Sequence, residues 1–91
     1  MLNKEELLQL EQIGRCQFNI KEAAMILQVE ENVLRSAIDK KGNAEHDAYH
    51  GGRLKADFEV RQRILELAIS GSTAAQELII KLKIKSELDE V

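Results

Sequence analysis

Asn32, Arg35 and Ser36 fall close together, with Lys21 upstream and Lys40 and Lys41 just downstream. That mixture suits nucleic acid. Asn can pair with adenine and Arg with guanine, while lysines contact phosphates and position without reading sequence. Glu30 and Glu31 oppose it, because they sit where such a helix would approach a phosphate backbone and would repel it. Together with Asp39, the same residues also read as the solvated charges of a structural bundle.

Other constellations carry less chemistry. His46 and His50 are four apart and would share a helix face, as zinc ligands do, but HDAYH lacks the glutamate of a zinc hydrolase motif. They read as surface histidines beside Gly51-Gly52. Those glycines belong to no GxxxxGK[ST] phosphate loop, and a kink or a close helix approach suits them better. Cys16 follows a helix end and reads as a small, partly buried filler. No pair of carboxylates stands out as an acid–base dyad. The expectation is a protein without catalytic residues, metal or cofactor.

Composition narrows the classes further. The chain has 91 residues, one small domain's worth. Hydrophobic residues make up 44 % and charged residues 32 %, which argues for a folded, soluble chain. The apolar set is nearly all Leu, Ile, Val and Ala, without Trp or Pro, and points to helices. Cys16 alone cannot build a disulfide scaffold. No run of about 18 apolar residues exists to span a membrane, and MLNKEELL does not read as a signal peptide. The expected compartment is the cytoplasm. The net charge of −3 excludes binding to nucleic acid through a wholly basic surface. Split at Gly42, the first half carries 6 basic and 7 acidic residues and the second 7 and 9, so neither is a basic arm.

The elements that would position these side chains divide at Gly42. Residues 1 to 42 read as three short helices. Asn3 and Asn19 each precede a glutamate by three residues (Glu6 and Glu22), the spacing of a capping box. Leu7, Leu8, Leu10 and Ile13 line the first helix, and Gly14 suits its stop. Ala23, Ala24, Ile26 and Leu27 line the second, which should end near Gln28. The third, from about Glu30 to Asp39, presents Val33, Leu34, Ala37 and Ile38, with Lys40 and Lys41 in its last turn. IKEAAMILQVEENVLRSAI resembles a helix-turn-helix. Ala24 suits the tight crossing, and Leu27 and Val29 flank the turn. Leu34 and Ala37 face back into the core. Gln28 stands where glycine is usual, and a left-handed Gln there costs about 1 kcal/mol.

Residues 43 to 91 behave differently. In the helix predicted over 49 to 70, Lys55, Glu59, Gln62, Arg63, Glu66 and Ser70 share a polar face. Leu54, Phe58, Leu65, Ala68 and Ile69 form one apolar stripe, and Ala56, Val60, Ile64 and Leu67 a second. A helix apolar over more than half its circumference needs more than one neighbour. Ser70-Gly71-Ser72-Thr73 marks a break, after which Ala74, Leu78, Ile79 and Leu82 read as helix. Residues 80 to 85 alternate strictly, a strand pattern, but they continue a helical start and have no strand partner within the chain. The tail from Glu87 to Val91 is expected to fray. The fold expected is all-α: a three-helix helix-turn-helix bundle in 1–42, then a helical hairpin in 43–91. Leu54, Phe58, Val60, Ile64, Leu65, Leu67, Leu78 and Leu82 would serve oligomerisation.

The second half resembles the C-terminal segment of bacteriophage small terminase subunits. The resemblance lies in Ala48-Tyr49, Gly52-Arg53-Leu54, Leu65-Glu66-Leu67-Ala68, and Gly71-Ser72 followed by Ala75 and Leu78. With the helix-turn-helix it covers roughly residues 3 to 85, in the family's order. It implies a non-enzymatic subunit that binds double-stranded viral DNA at the packaging site. It also implies a homo-oligomeric ring assembled through the hairpin, and engagement of the large terminase subunit. The chain is short for the family and has little material for a separate segment that would bind the large subunit. Two other readings remain: a dimeric helix-turn-helix transcriptional regulator, and a helical adaptor that binds only protein.

Overall fold

The computed structural model describes residues 1–89. Those residues form an all-α protein of five helices: α1 (Lys4–Arg15), α2 (Ile20–Leu27), α3 (Glu31–Asp39), α4 (Ala44–Ile69) and α5 (Thr73–Asp89). None of the helices is long and apolar enough to cross a membrane. Residues 80 to 85 are helical and continue α5. The expected fraying of the tail concerns in part Glu90 and Val91, which lie outside the described residues.

Local sequence sets the helix starts. Asn3 Oδ1 accepts the Glu6 backbone N–H at 2.8 Å, and Glu6 Oε1 accepts the Asn3 N–H at 3.0 Å. Asn19 and Glu22 repeat the exchange at 2.8 and 3.1 Å. Each box satisfies backbone N–H groups that lack helical partners and sets a carboxylate at the positive end of the helix. The stops share a device too. Gln17 (φ 66°) and Gln28 (φ 58°) both adopt the left-handed conformation. Beyond them, Phe18 N–H donates to the Ile13 carbonyl at 3.3 Å and Val29 N–H to the Ala24 carbonyl at 3.0 Å. These are the wrap-around bonds of a Schellman ending, here made without glycine.

Gly14 does not stop α1, as its position suggested. The helix runs on to Arg15, and Gly14 is buried. A Cβ on Gly14 would collide with the Tyr49 carbonyl oxygen, and one on Gly52 with the Glu11 carbonyl oxygen. The two glycines therefore let the backbones of α1 and α4 touch. Gly51 faces open space, so the close approach belongs to Gly52 alone, and α4 passes through both glycines unbroken.

Two compact units result, Met1–Ala56 and a second beginning at Asp57. The division falls inside α4, whereas the sequence divides most naturally at Gly42. The reason is Tyr49, which joins Leu10, Ile13, Ala23, Ala24, Leu34 and Ile38 in one core, with Ala48 packed against it. In the second unit the chain reverses at Ser70–Ser72. Gly71 (φ 103°) supplies the left-handed turn, and Ser72 Oγ caps α5 by accepting the Ala75 N–H at 3.2 Å. Gln76 Nε2 donates to the Ala68 carbonyl at 3.1 Å. Farther from the turn, Arg61 shares a shallow depression with Leu82, Lys85, Ser86 and Asp89. Those two pairings have the register of antiparallel neighbours. Among the described residues of this unit Ala75 is buried, and Ile64, Ala68, Ile79 and Leu82 are half-buried.

Candidate nucleic-acid interface

Helix α3 exists to be held by Leu34 and Ile38, both fully buried. That anchoring turns Asn32, Arg35, Ser36 and Asp39 outward, and all four are exposed. They stand at i, i+3, i+4 and i+7, so they share one face. Lys21 is exposed in the first turn of α2. Lys40 and Lys41 are exposed as well, but not in the last turn of α3. The helix ends at Asp39, and Lys40 is already extended (φ −86°, ψ 110°). Gly42 (φ 95°) and Asn43, whose Nδ2 donates to the Ala37 carbonyl at 3.1 Å, close the end instead. Val33 and Ile26, counted among the apolar residues of their helices, are exposed, and so is Met25.

Of the two acids that oppose an anionic partner, Glu30 is exposed and makes no side-chain capping bond, whereas Glu31 is engaged. Glu31 Oε2 accepts from Arg35 Nη2 at 3.2 Å. Such an exposed i,i+4 pair is worth only about 0.3–0.5 kcal/mol, so a guanine or phosphate could displace it. Glu6 and Glu22 are engaged in capping. Glu11 accepts from Lys55 Nζ at 2.6 Å, and that hydrogen bond and charge hold its carboxyl below the usual range. Glu45 is buried, which raises its pKa. Hydrogen bonds from its own backbone and from Leu2, together with the Met1 amino group 3.4 Å away, outweigh burial and lower it. Unit 1 is acidic by count, but much of that acidity is structural.

Tyr49 and Arg53 anchor the loop before α2, a role their sequence does not reveal. Tyr49 Oη donates to the Phe18 carbonyl at 2.6 Å. Arg53 Nη1 reaches the same carbonyl at 3.3 Å, with its guanidinium 5.6 Å from the Tyr49 ring centre. Gln17 Nε2 donates back to the Arg53 carbonyl at 3.3 Å. The contacts join residues more than thirty apart, and no local pattern could have marked them.

His46 is not a simple surface histidine. It is half-buried, and its Nδ1 lies 2.7 Å from the Ile38 carbonyl near the end of α3. His50 is exposed, with its ring centre 4.6 Å from that of His46. Burial, then the neighbouring His46 and Arg53, lower the His50 pKa, and Asp39 opposes them. Cys16 is exposed rather than partly buried, because it caps α1 outside the core.

The expected oligomerisation residues divide by exposure. Leu54, Phe58, Val60, Leu65, Leu67 and Leu78 are exposed, while Ile64 and Leu82 are half-buried. The structure brings Leu82 beside Arg61 around one depression and leaves most of the others facing solvent. Comparison of the chain with protein-family models, with curated proteins and with solved structures returned no match.

Proposed function

We propose that the chain is a small-terminase-like subunit that recognises viral DNA for genome packaging. In this reading α1–α3 form a helix-turn-helix, and α3 presents Asn32, Arg35 and Ser36 to DNA. Lys21, Lys40 and Lys41 contact phosphates. The segment 43–91 is a helical hairpin that assembles copies into a ring, and the large terminase subunit is a further partner. The subunit is not an enzyme.

One observation carries the reading more than any other. Unit 2 exposes Phe58, Val60, Leu65, Leu67, Ile69, Leu78, Ile80, Ile84 and Leu88, a density unusual for a chain that stays single. In unit 1, the outer face of α3 is polar and carries the exposed Asn32 and Arg35. Weak DNA contact per copy, multiplied by assembly, also suits a chain with net charge −3. The test is duplex retention at low salt by the whole chain and by Arg35→Ala combined with Lys40→Ala. Retention that falls at least tenfold in the double variant, and falls with added salt, is the expected result. Unchanged retention, or none from the parent chain, would favour a protein-binding adaptor. Mass in solution separates a ring from the two-fold assembly of a regulator.

A further inference from the structure

His46 and His50 stand one turn apart on α4, and by sequence they read as a surface pair. The fold adds two constraints. First, His46 is half-buried against the end of α3, with Nδ1 2.7 Å from the Ile38 carbonyl oxygen. A carbonyl can only accept, so Nδ1 carries the proton and Nε2 keeps its lone pair. Metal-ligating histidines are held in this way, one ring nitrogen donating to a carbonyl and the other left for the ion. Second, the two ring centres lie 4.6 Å apart and the rings are tilted by 57°, so they do not stack face to face. An ion about 2.1 Å from a ligating nitrogen lies about 3.2 Å from the centre of that ring. Two imidazoles meeting the ion at about 90–110° then have ring centres about 4.5–5.2 Å apart. The observed spacing falls in that range.

We propose that His46 and His50 together chelate one divalent transition-metal ion where α4 meets the end of α3. The inference is independent of DNA binding and of assembly. The imidazole pair selects the class of ion. Ni²⁺, Cu²⁺ and Zn²⁺ suit imidazole, whereas Mg²⁺ and Ca²⁺ call for oxygen ligands. Among the described residues no third His, Cys, Asp or Glu completes a metal cluster with the pair. Water therefore fills the remaining positions, and the site is open and exchangeable rather than a closed structural centre. The charged side chains that act on His50 are Asp39 and Arg53. Asp39 attracts a cation. Arg53 repels one, but its guanidinium is drawn to the Phe18 carbonyl, 3.3 Å from Nη1. His50 is exposed, so the ion enters from solvent without opening the core. Once bound, it ties α4 through His46 to the end of α3 and stabilises the folded state by mass action.

The test is equilibrium dialysis of the whole chain, free of any histidine tag, against Ni²⁺, Co²⁺ and Mg²⁺ in turn. The expected result is one Ni²⁺ per chain, held more tightly than Co²⁺ as the general order of divalent affinities requires, with no Mg²⁺ retained. His50→Ala removes an exposed ring and keeps the fold, which circular dichroism checks. It should weaken Ni²⁺ at least about tenfold, since even removal of a hydrogen bond to a metal ligand costs that much. Adding Gly51→His to His50→Ala restores the number of histidines but turns the second ring about 100° around the helix, so the affinity should not return. A Cβ at Gly51 meets nothing, so this variant folds as well. Ni²⁺ should also raise the melting temperature of the parent chain and leave that of His50→Ala unmoved. A parent chain that retains no Ni²⁺, or retains Mg²⁺ equally, would overturn the site. So would Ni²⁺ binding unchanged by His50→Ala, full recovery on adding Gly51→His, or one Ni²⁺ shared by two chains.

Discussion

The two units solve the same problem, helices of Leu, Ile and Ala, in different ways. Met1–Ala56 wraps four helical segments around Leu10, Leu34 and Ile38, each with no more than a trace of exposure. Among the described residues, the unit beginning at Asp57 has two helical segments and one buried residue, Ala75. Two helices meet along one seam, and here the seam is built partly of Ala68 and Ala75, which bring the helices close but bury little. The larger side chains are left outside. The comparison teaches that aliphatic richness alone does not say where the core is. It becomes a core only when enough elements converge from different directions.

The sharpest way to break the comparison is truncation on both sides of it. Leu34→Ala removes a fully buried side chain and is expected to cost about 2–5 kcal/mol in chemical denaturation. Phe58→Ala, on the exposed stripe of the second unit, should change the stability of dilute, unassembled chain by less than about 0.5 kcal/mol. Equal costs would mean that the second unit carries a core of its own after all.

Next in size is the glycine pair in α4. Gly52→Ala forces a Cβ onto the Glu11 carbonyl oxygen, and overpacking of this kind typically costs about 1–3 kcal/mol. Gly51→Ala meets nothing and should stabilise by up to about 1 kcal/mol through helix propensity. Thermal melts of the two variants should therefore move in opposite directions. Parallel shifts would show that α1 and α4 do not depend on backbone approach.

The smallest effects sit at the helix stops. Gln28 holds φ 58° in the first unit and Gly71 holds φ 103° in the second. Gln28→Gly should stabilise by up to about 1 kcal/mol by relieving the left-handed side chain. Gly71→Ala should destabilise by a similar amount. Urea midpoints measured side by side would show whether the two stops respond in opposite senses.

Much of the first unit is legible in the chain. The two Asn-x-x-Glu boxes are local, decided within four residues, and so were readable. The left-handed Gln28 was readable because a short turn demands it whatever residue stands there. For residues 80 to 85 the sequence favours helix, since α5 continues from an Ala-rich start, but their strict alternation also fits a strand, and it is the structure that puts them in α5. The candidate DNA face was legible only as a set of residue types. Its helical register followed from Leu34 and Ile38, but the engagement of Glu31 with Arg35 and the exclusion of Lys40 from the helix required the folded backbone.

What the sequence by itself determined is therefore local: where helices begin, which residues bend the chain, and how apolar each helix is. Only the tertiary structure decided what those features are for. Gly14 looks like a helix stop and proves to be a point of contact, because Tyr49, thirty-five positions away, arrives against it. Tyr49 also moves the boundary between the units from Gly42 to Ala56, since a half-helix that contributes to a core belongs to it. Local signals act through bonds between near neighbours, which the chain order displays. Close approach, burial and exposure depend on which distant segment comes to lie alongside, and that is decided only when the helices pack.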